Sequence, residues 1–243
     1  MNFRGAWAIL LACSICFPLV AQSERGLVRV PFVGCKSVGQ AGPHDAPEGR
    51  PVLAETSAEA ASRLAYYRAA QGIGGLGPRG WSCLGDYGSG GAILLISPEP
   101  PERIEESTRD LGAPVIEINF RSSGTSGRYD VARVIARVFP AHMAFVRRVQ
   151  RWFPVQQYPV GPYPHDKLTY RSDSVVEYET PAQADGLGTY SWLKKNDSPI
   201  RGVAILLGPT PDLLFVAARL PQNIRYLTRA VIRQAERETA IQY

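Results

Sequence analysis

Three histidines, His44, His142 and His165, are the imidazoles this chain offers for general acid–base chemistry. Two stand beside an acid, as His44-Asp45 and His165-Asp166. Adjacent side chains of an extended segment point to opposite faces, so neither pair is a dyad by itself. Hydrolysis would need a pair assembled across space, with His165 as base and a carboxylate such as Asp166 or Asp173 as its partner. Solvated loop histidines are the simpler reading. No H-x-x-H, H-x3-H or cysteine pair has metal-ligand spacing, so no metal site is expected.

Two glycine-rich stretches invite chemistry and fail on context. Gly72-Ile73-Gly74-Gly75-Leu76-Gly77 spells G-x-G-x-x-G. A dinucleotide site needs a strand before those glycines and a helix start after them. Here a helix is predicted before them and Pro78-Arg79-Gly80 follows, so no cofactor is expected. Cys83-Leu84-Gly85-Asp86-Tyr87-Gly88-Ser89-Gly90-Gly91 resembles the nucleophile loop of chymotrypsin-like proteases, with two residues inserted between Asp86 and Ser89. That insertion displaces the serine from its oxyanion amides, and His44 is the one histidine upstream. A hairpin turn is the better reading.

The densest charge lies elsewhere. Residues 128–151 hold six arginines and one acid, Asp130. Such a run can face an anionic polymer, a lipid headgroup or an acidic partner, or it can be the wet side of two amphipathic helices. Arg147, Arg148 and Arg151 are its candidate contacts. Tyr158 and Tyr163, in a loop rich in proline, join them as rigid aromatic contacts. Arg225, Arg229 and Arg233 recur every four residues near the C-terminus and read as a solvated stripe.

The N-terminus sets the compartment. Arg4 precedes an apolar run from Ala6 to Val20 that ends in Ala21-Gln22-Ser23, a small-x-small cleavage pattern. Residues 1–23 therefore read as a signal peptide, and a run that short does not span a bilayer, which takes about 20 residues. Leu10-Leu11-Ala12-Cys13 looks like a bacterial lipobox, so anchoring through a lipidated Cys13 is the alternative to a periplasmic or secreted chain. Export leaves Cys35 and Cys83, which most simply pair in an oxidising space. The formal charge of +5 becomes +4 without Arg4, too mild for a nucleic-acid partner.

Residues 24–243 suffice for one domain with a real core. Alternation predicts a strand at Leu27–Val30, and Pro43, Pro47 and Pro51 suggest an irregular loop over 34–52. Thr56 and Glu59 are spaced as a capping box before a helix over Ser57–Ala70. Strand signals follow at Trp81–Gly85, Ala92–Ile96 and Val115–Arg121. Helical stripes then cover 128–139 and a run to Trp152, the second turning Phe145, Val146, Val149 and Phe153 inward. Paired strands are expected at 169–171 with 175–180 and at 203–207 with 213–217, before a closing helix over 223–239. Without βαβ alternation the class is α+β, a mostly antiparallel sheet with about four helices. Gly75-Leu76-Gly77 before Trp81 and Ala92–Leu95 echoes Gly186-Leu187-Gly188 before Trp192 and Ala204–Leu207, a candidate duplicated hairpin unit.

Pro78-Arg79-Gly80-Trp81-Ser82-Cys83-Leu84-Gly85-Asp86-Tyr87-Gly88 resembles a PRGWxCxGxYG segment of exported bacterial proteins of unknown function. The likeness extends to Gly186–Thr189 and the 202–212 hairpin, and implies export and a shared fold. It implies no activity. The expectation is an exported cell-envelope protein with a non-catalytic binding or interaction role, its partner an envelope protein or an anionic polymer or lipid surface. An envelope hydrolase using a His/carboxylate pair is the alternative.

Overall fold

The computed structural model describes residues 26–106 and 111–242, so the expected leader and Cys13 lie outside the described residues. The first half runs β1 (Gly26–Val30), β2 (Phe32–Cys35), β3 (Ser37–Gly39), β4 (Val52–Thr56), α1 (Ala58–Ser62), β5 (Leu64–Ala69) and β6 (Gly75–Pro78). Next come β7 (Ser82–Gly88), β8 (Gly91–Ser97), α2 (Pro101–Glu106), β9 (Val115–Arg121), α3 (Arg128–Val138) and α4 (Met143–Trp152). The chain closes with β10 (Lys167–Ser172), β11 (Val175–Thr180), β12 (Ile200–Leu207), β13 (Asp212–Arg219) and α5 (Thr228–Gln242).

Eight strands form one sheet in the order β10-β11-β12-β13-β9-β8-β7-β3. Its neighbours are antiparallel except β3 with β7. A three-stranded sheet β2-β5-β6 and a ribbon β1-β4 lie beside it. The fold is α+β and mostly antiparallel, with five α-helices among the described residues.

Strand alternation explains how the large sheet divides the core. Leu94 and Ile96 of β8, Ile116 and Ile118 of β9, and Leu214 and Val216 of β13 face one side. The small sheet, Leu227 just before the closing helix, and Val231 and Ala235 within it cover them. Ile93, Leu95, Leu213 and Phe215 face the other side, under α3 and α4. Gly91 opens β8 at φ 139°, and a Cβ there would run into the Phe120 carbonyl of β9. Only glycine lets those strands meet at that point.

The predicted helix over Ser57–Ala70 stops after one turn. Its cap is Ser57, whose Oγ accepts from the Ala60 amide at 3.2 Å, while Thr56 ends β4. Leu64-Ala65-Tyr66-Tyr67 then becomes the middle strand of the small sheet, buried on both faces. A strand covered on both sides reads as a continuous apolar run that periodicity cannot separate from a helix. The supposed loop over 34–52 likewise contains the end of β2 and all of β3. Residues 222–227 form a 3-10 segment ahead of α5.

Cys35 and Cys83 are joined, with Cα atoms 5.4 Å apart. The bond ties β2 of the small sheet to β7 of the large one. The two echoing segments fold differently: Gly75–Gly77 belongs to β6, whereas Leu187–Thr189 is a 3-10 turn. Only the apolar tetrads correspond, as β8 and β12, which flank the central β9–β13 pair symmetrically.

Candidate functional site: a basic aromatic face

The amphipathic pattern of α3 and α4 decides what this face shows. α3 buries Val131, Val134, Ile135 and Val138, and α4 buries Phe145, Val146 and Val149, all against one side of the large sheet. Pro140 cannot continue α3, and a 3-10 turn over Pro140–His142 leads into α4. At 100° per residue, Arg147, Arg148 and Arg151 share an arc of about 100° opposite the buried stripe. All three are exposed and make no ion pair with any described residue. From Val131 to His165 the chain contains no acid.

The other arginines of this unit serve the structure. Arg137 donates to the Gly161 carbonyl at 3.2 Å and lies 4.2 Å over the Tyr163 ring. The Gly161 amide returns a bond to the Ala136 carbonyl at 2.9 Å, so α3 grips the proline loop from both sides. Arg133 reaches Asp130 at 4.0 Å, and Asp130 meets Arg121 of β9 at 3.3 Å.

Large apolar side chains stand in water where α4 ends and in the loop after it, and of the three arginines Arg148 lies 5.2 Å over the Phe145 ring. Trp152 is 58% exposed, Phe153 43%, Val155 94% and Val160 70%. Phe153 was expected inside. α4 ends at Trp152, two residues before Pro154, so Phe153 leaves the helical phase and turns outward, its ring edge against Tyr129 at 4.8 Å. Arg128 caps one side of the Trp152 ring at 5.5 Å.

The tyrosines do not join this surface as expected. Tyr158 is only 6% exposed and fills the core beneath the loop, where burial pushes its hydroxyl pKa up. Tyr163 is half-buried beneath Arg137. His165 and Asp173 are exposed. Asp166 acts as a structural pin, accepting from Thr180 Oγ1 at 2.6 Å and from the Leu187 amide at 2.7 Å. Burial raises its pKa, against the lowering by those bonds. Asp166→Ala should cost about 1–3 kcal/mol in urea unfolding, because a buried hydroxyl and an amide lose their acceptor. The imidazole within reach of a hydroxyl is His142, whose Nε2 lies 3.3 Å from Ser174 Oγ. Ser89, of the protease-like loop, meets Ser126 at 3.0 Å, while His44 leans on Tyr87.

One buried group escaped the sequence reading. Glu117, Asn119 and Arg121 share a face of β9, and such alternation looks like a solvated strand. The segment after β11 instead covers that face, and Glu117 is fully buried. Its carboxyl accepts from Asn119 Nδ2 at 2.9 Å and from the Trp192 amide at 3.2 Å, and the Ser191 hydroxyl bonds to it too. Burial raises its pKa above the ordinary carboxylate value, and those three bonds and Arg121 oppose the shift.

The folded state therefore holds this proton more tightly than the unfolded chain, and ionisation costs stability. That cost grows as pH rises from the ordinary value of 4.5 through the raised one. The stability of wild type relative to Glu117→Gln should accordingly fall with rising pH, read from urea midpoints across that range. A constant gap would contradict the assignment.

No helix among the described residues is long and apolar enough to cross a membrane, and no metal-holding cluster of three or more His, Cys, Asp or Glu occurs among them. No family model, curated protein or solved structure matches the chain.

Proposed function

We propose that this chain is an exported, non-catalytic protein of the cell envelope that docks on an anionic lipid surface through α4 and the loop following it. The observation that carries this reading is that exposed Arg147, Arg148 and Arg151 of α4 are followed by exposed Trp152, Phe153, Val155 and Val160 at the helix end and in the next loop. Trp favours the membrane–water interface, where its ring sits in the headgroup layer. Arginines near an anionic bilayer contribute about 1 kcal/mol each, and full removal of a large apolar side chain from water contributes about 1.5–3 kcal/mol. Together these terms suffice for reversible peripheral binding.

Export rests on the leader pattern of residues 1–23 and is supported by the Cys35–Cys83 bond, which suits an oxidising compartment. The likeness of the Pro78–Gly88 segment to exported bacterial proteins points the same way.

Co-sedimentation with phosphatidylcholine vesicles, with and without about one-third phosphatidylglycerol, tests the reading. Binding should require the anionic lipid and should weaken as salt rises. Equal binding to both vesicle types, or to neither, would exclude an anionic surface as the partner. Binding to an envelope protein with no affinity for vesicles would point to an acidic protein face instead.

A further inference from the structure

The opposite side of the large sheet carries a groove of about 960 Å³. The faces of β10, β11 and the start of β12 form its floor, and the 3-10 segment 222–227 with α5 forms its wall. Lys167, Arg171, Arg201, Arg225, Arg229 and Arg233 line it against three carboxylates, Glu177, Glu179 and Glu236. Strand alternation puts Lys167, Thr169 and Arg171 on one face, and the four-residue spacing stacks the wall arginines along one side.

The floor is neutralised from within. Glu179 takes Lys167 at 3.3 Å and also Arg201, and Glu177 takes Arg171 at 2.6 Å. The wall is not. Arg225 and Arg229 make no ion pair with any described residue, and the Arg225 Nε is buried without an acceptor. A guanidinium N–H left in that condition is costly, and an anionic oxygen brought by a ligand removes the cost. Tyr226, 49% exposed, offers a flat ring in the same groove, and the exposed Thr169 offers a hydroxyl.

A sugar satisfies all three features at once. Its C–H face lies on an aromatic ring, a hydroxyl meets Thr169, and its acid groups meet the two guanidiniums. We infer that this groove binds an acidic oligosaccharide, with Arg225 and Arg229 holding its carboxylate or phosphate and Tyr226 lying against a sugar ring. The ligand occupies a different face from the lipid-docking surface and is independent of it.

Isothermal titration of the chain lacking residues 1–23 tests the inference with four probes: a polygalacturonate oligomer, a phosphorylated mannan oligosaccharide, neutral dextran, and polyglutamate of matched charge. At least one acidic oligosaccharide should bind, the stronger naming the acid group, and neutral dextran should not. Arg225→Gln with Arg229→Gln should weaken binding about 30-fold, two lost charge-assisted contacts, and Tyr226→Ala several-fold. Arg229→Gln alone, at an exposed position, keeps the test readable should the double variant fold poorly. Neutralising Arg147, Arg148 and Arg151 should leave the titration unchanged, which separates this site from the lipid face. The inference fails if neither acidic oligosaccharide binds, if polyglutamate binds as tightly, or if the arginine variants bind like wild type.

Discussion

Replacing Cys35 and Cys83 together with alanine should remove about 4 kcal/mol of stability, the largest change expected from any small substitution in this chain. The bond closes a loop of sequence separation 48, and the denatured chain regains that loop's entropy once the link is cut. Location adds to length. Cys35 ends β2 and Cys83 lies in β7, so the bond holds the three-stranded sheet against the eight-stranded one. Both residues are buried, and alanine avoids placing unsatisfied hydroxyls where serine would. Urea unfolding at fixed pH checks the value. Hydrogen exchange should show protection falling first in β2, β5 and β6, since their covalent tie is gone. A loss below about 1 kcal/mol, with uniform exchange, would mean that packing alone joins the two sheets.

The second large effect concerns binding. Changing Arg147, Arg148 and Arg151 to glutamine should weaken association with anionic vesicles about 100-fold, from about 1 kcal/mol for each charge removed. All three are exposed and make no ion pair with any described residue, and Arg148 only lies over the Phe145 ring, so folding stability should stay within about 1 kcal/mol of wild type. That combination distinguishes a contact surface from a structural one. Arg137→Gln provides the contrast: it loses the Gly161 carbonyl and the Tyr163 ring, so it should loosen the proline loop and lower stability. Vesicle sedimentation beside urea unfolding reads both variants. Unchanged vesicle binding by the triple variant would remove the arginines from the docking surface.

The sequence showed some of this and concealed the rest for definite reasons. Val115–Arg121 and the helix beginning at Arg128 were legible, because an alternating run and an i, i+3, i+4, i+7 stripe each match one period. The cysteine pair was legible from the expected export and from parity. β5 was not, since Leu64–Tyr67 is covered on both faces and loses its two-residue period. β3 was not, because three residues pairing in parallel with β7 leave no local signal. Glu117 looked solvated in its own strand, and only a segment more than seventy residues away makes it buried.

The functional surfaces divided in the same way. The α4 arginines stood out as a charge run, but the exposed apolar row did not. Phe153 fitted the helical stripe until Pro154 ended the helix, and Tyr158 looked like loop surface until the loop folded over it. Arg225 and Arg229 passed for a solvated stripe because the floor opposite them comes from β10 and β11, some fifty residues earlier.

Quenching of tryptophan fluorescence by brominated lipids tests the lipid-docking claim most directly. Trp81 and Trp192 are partly buried in the two cores, so Trp152 is the exposed tryptophan among the described residues. Anionic vesicles carrying bromine near the headgroups should quench the wild-type emission strongly, and Trp152→Phe should abolish that quenching while binding persists. Vesicle binding without quenching of Trp152, or no binding at all, would contradict docking through this face.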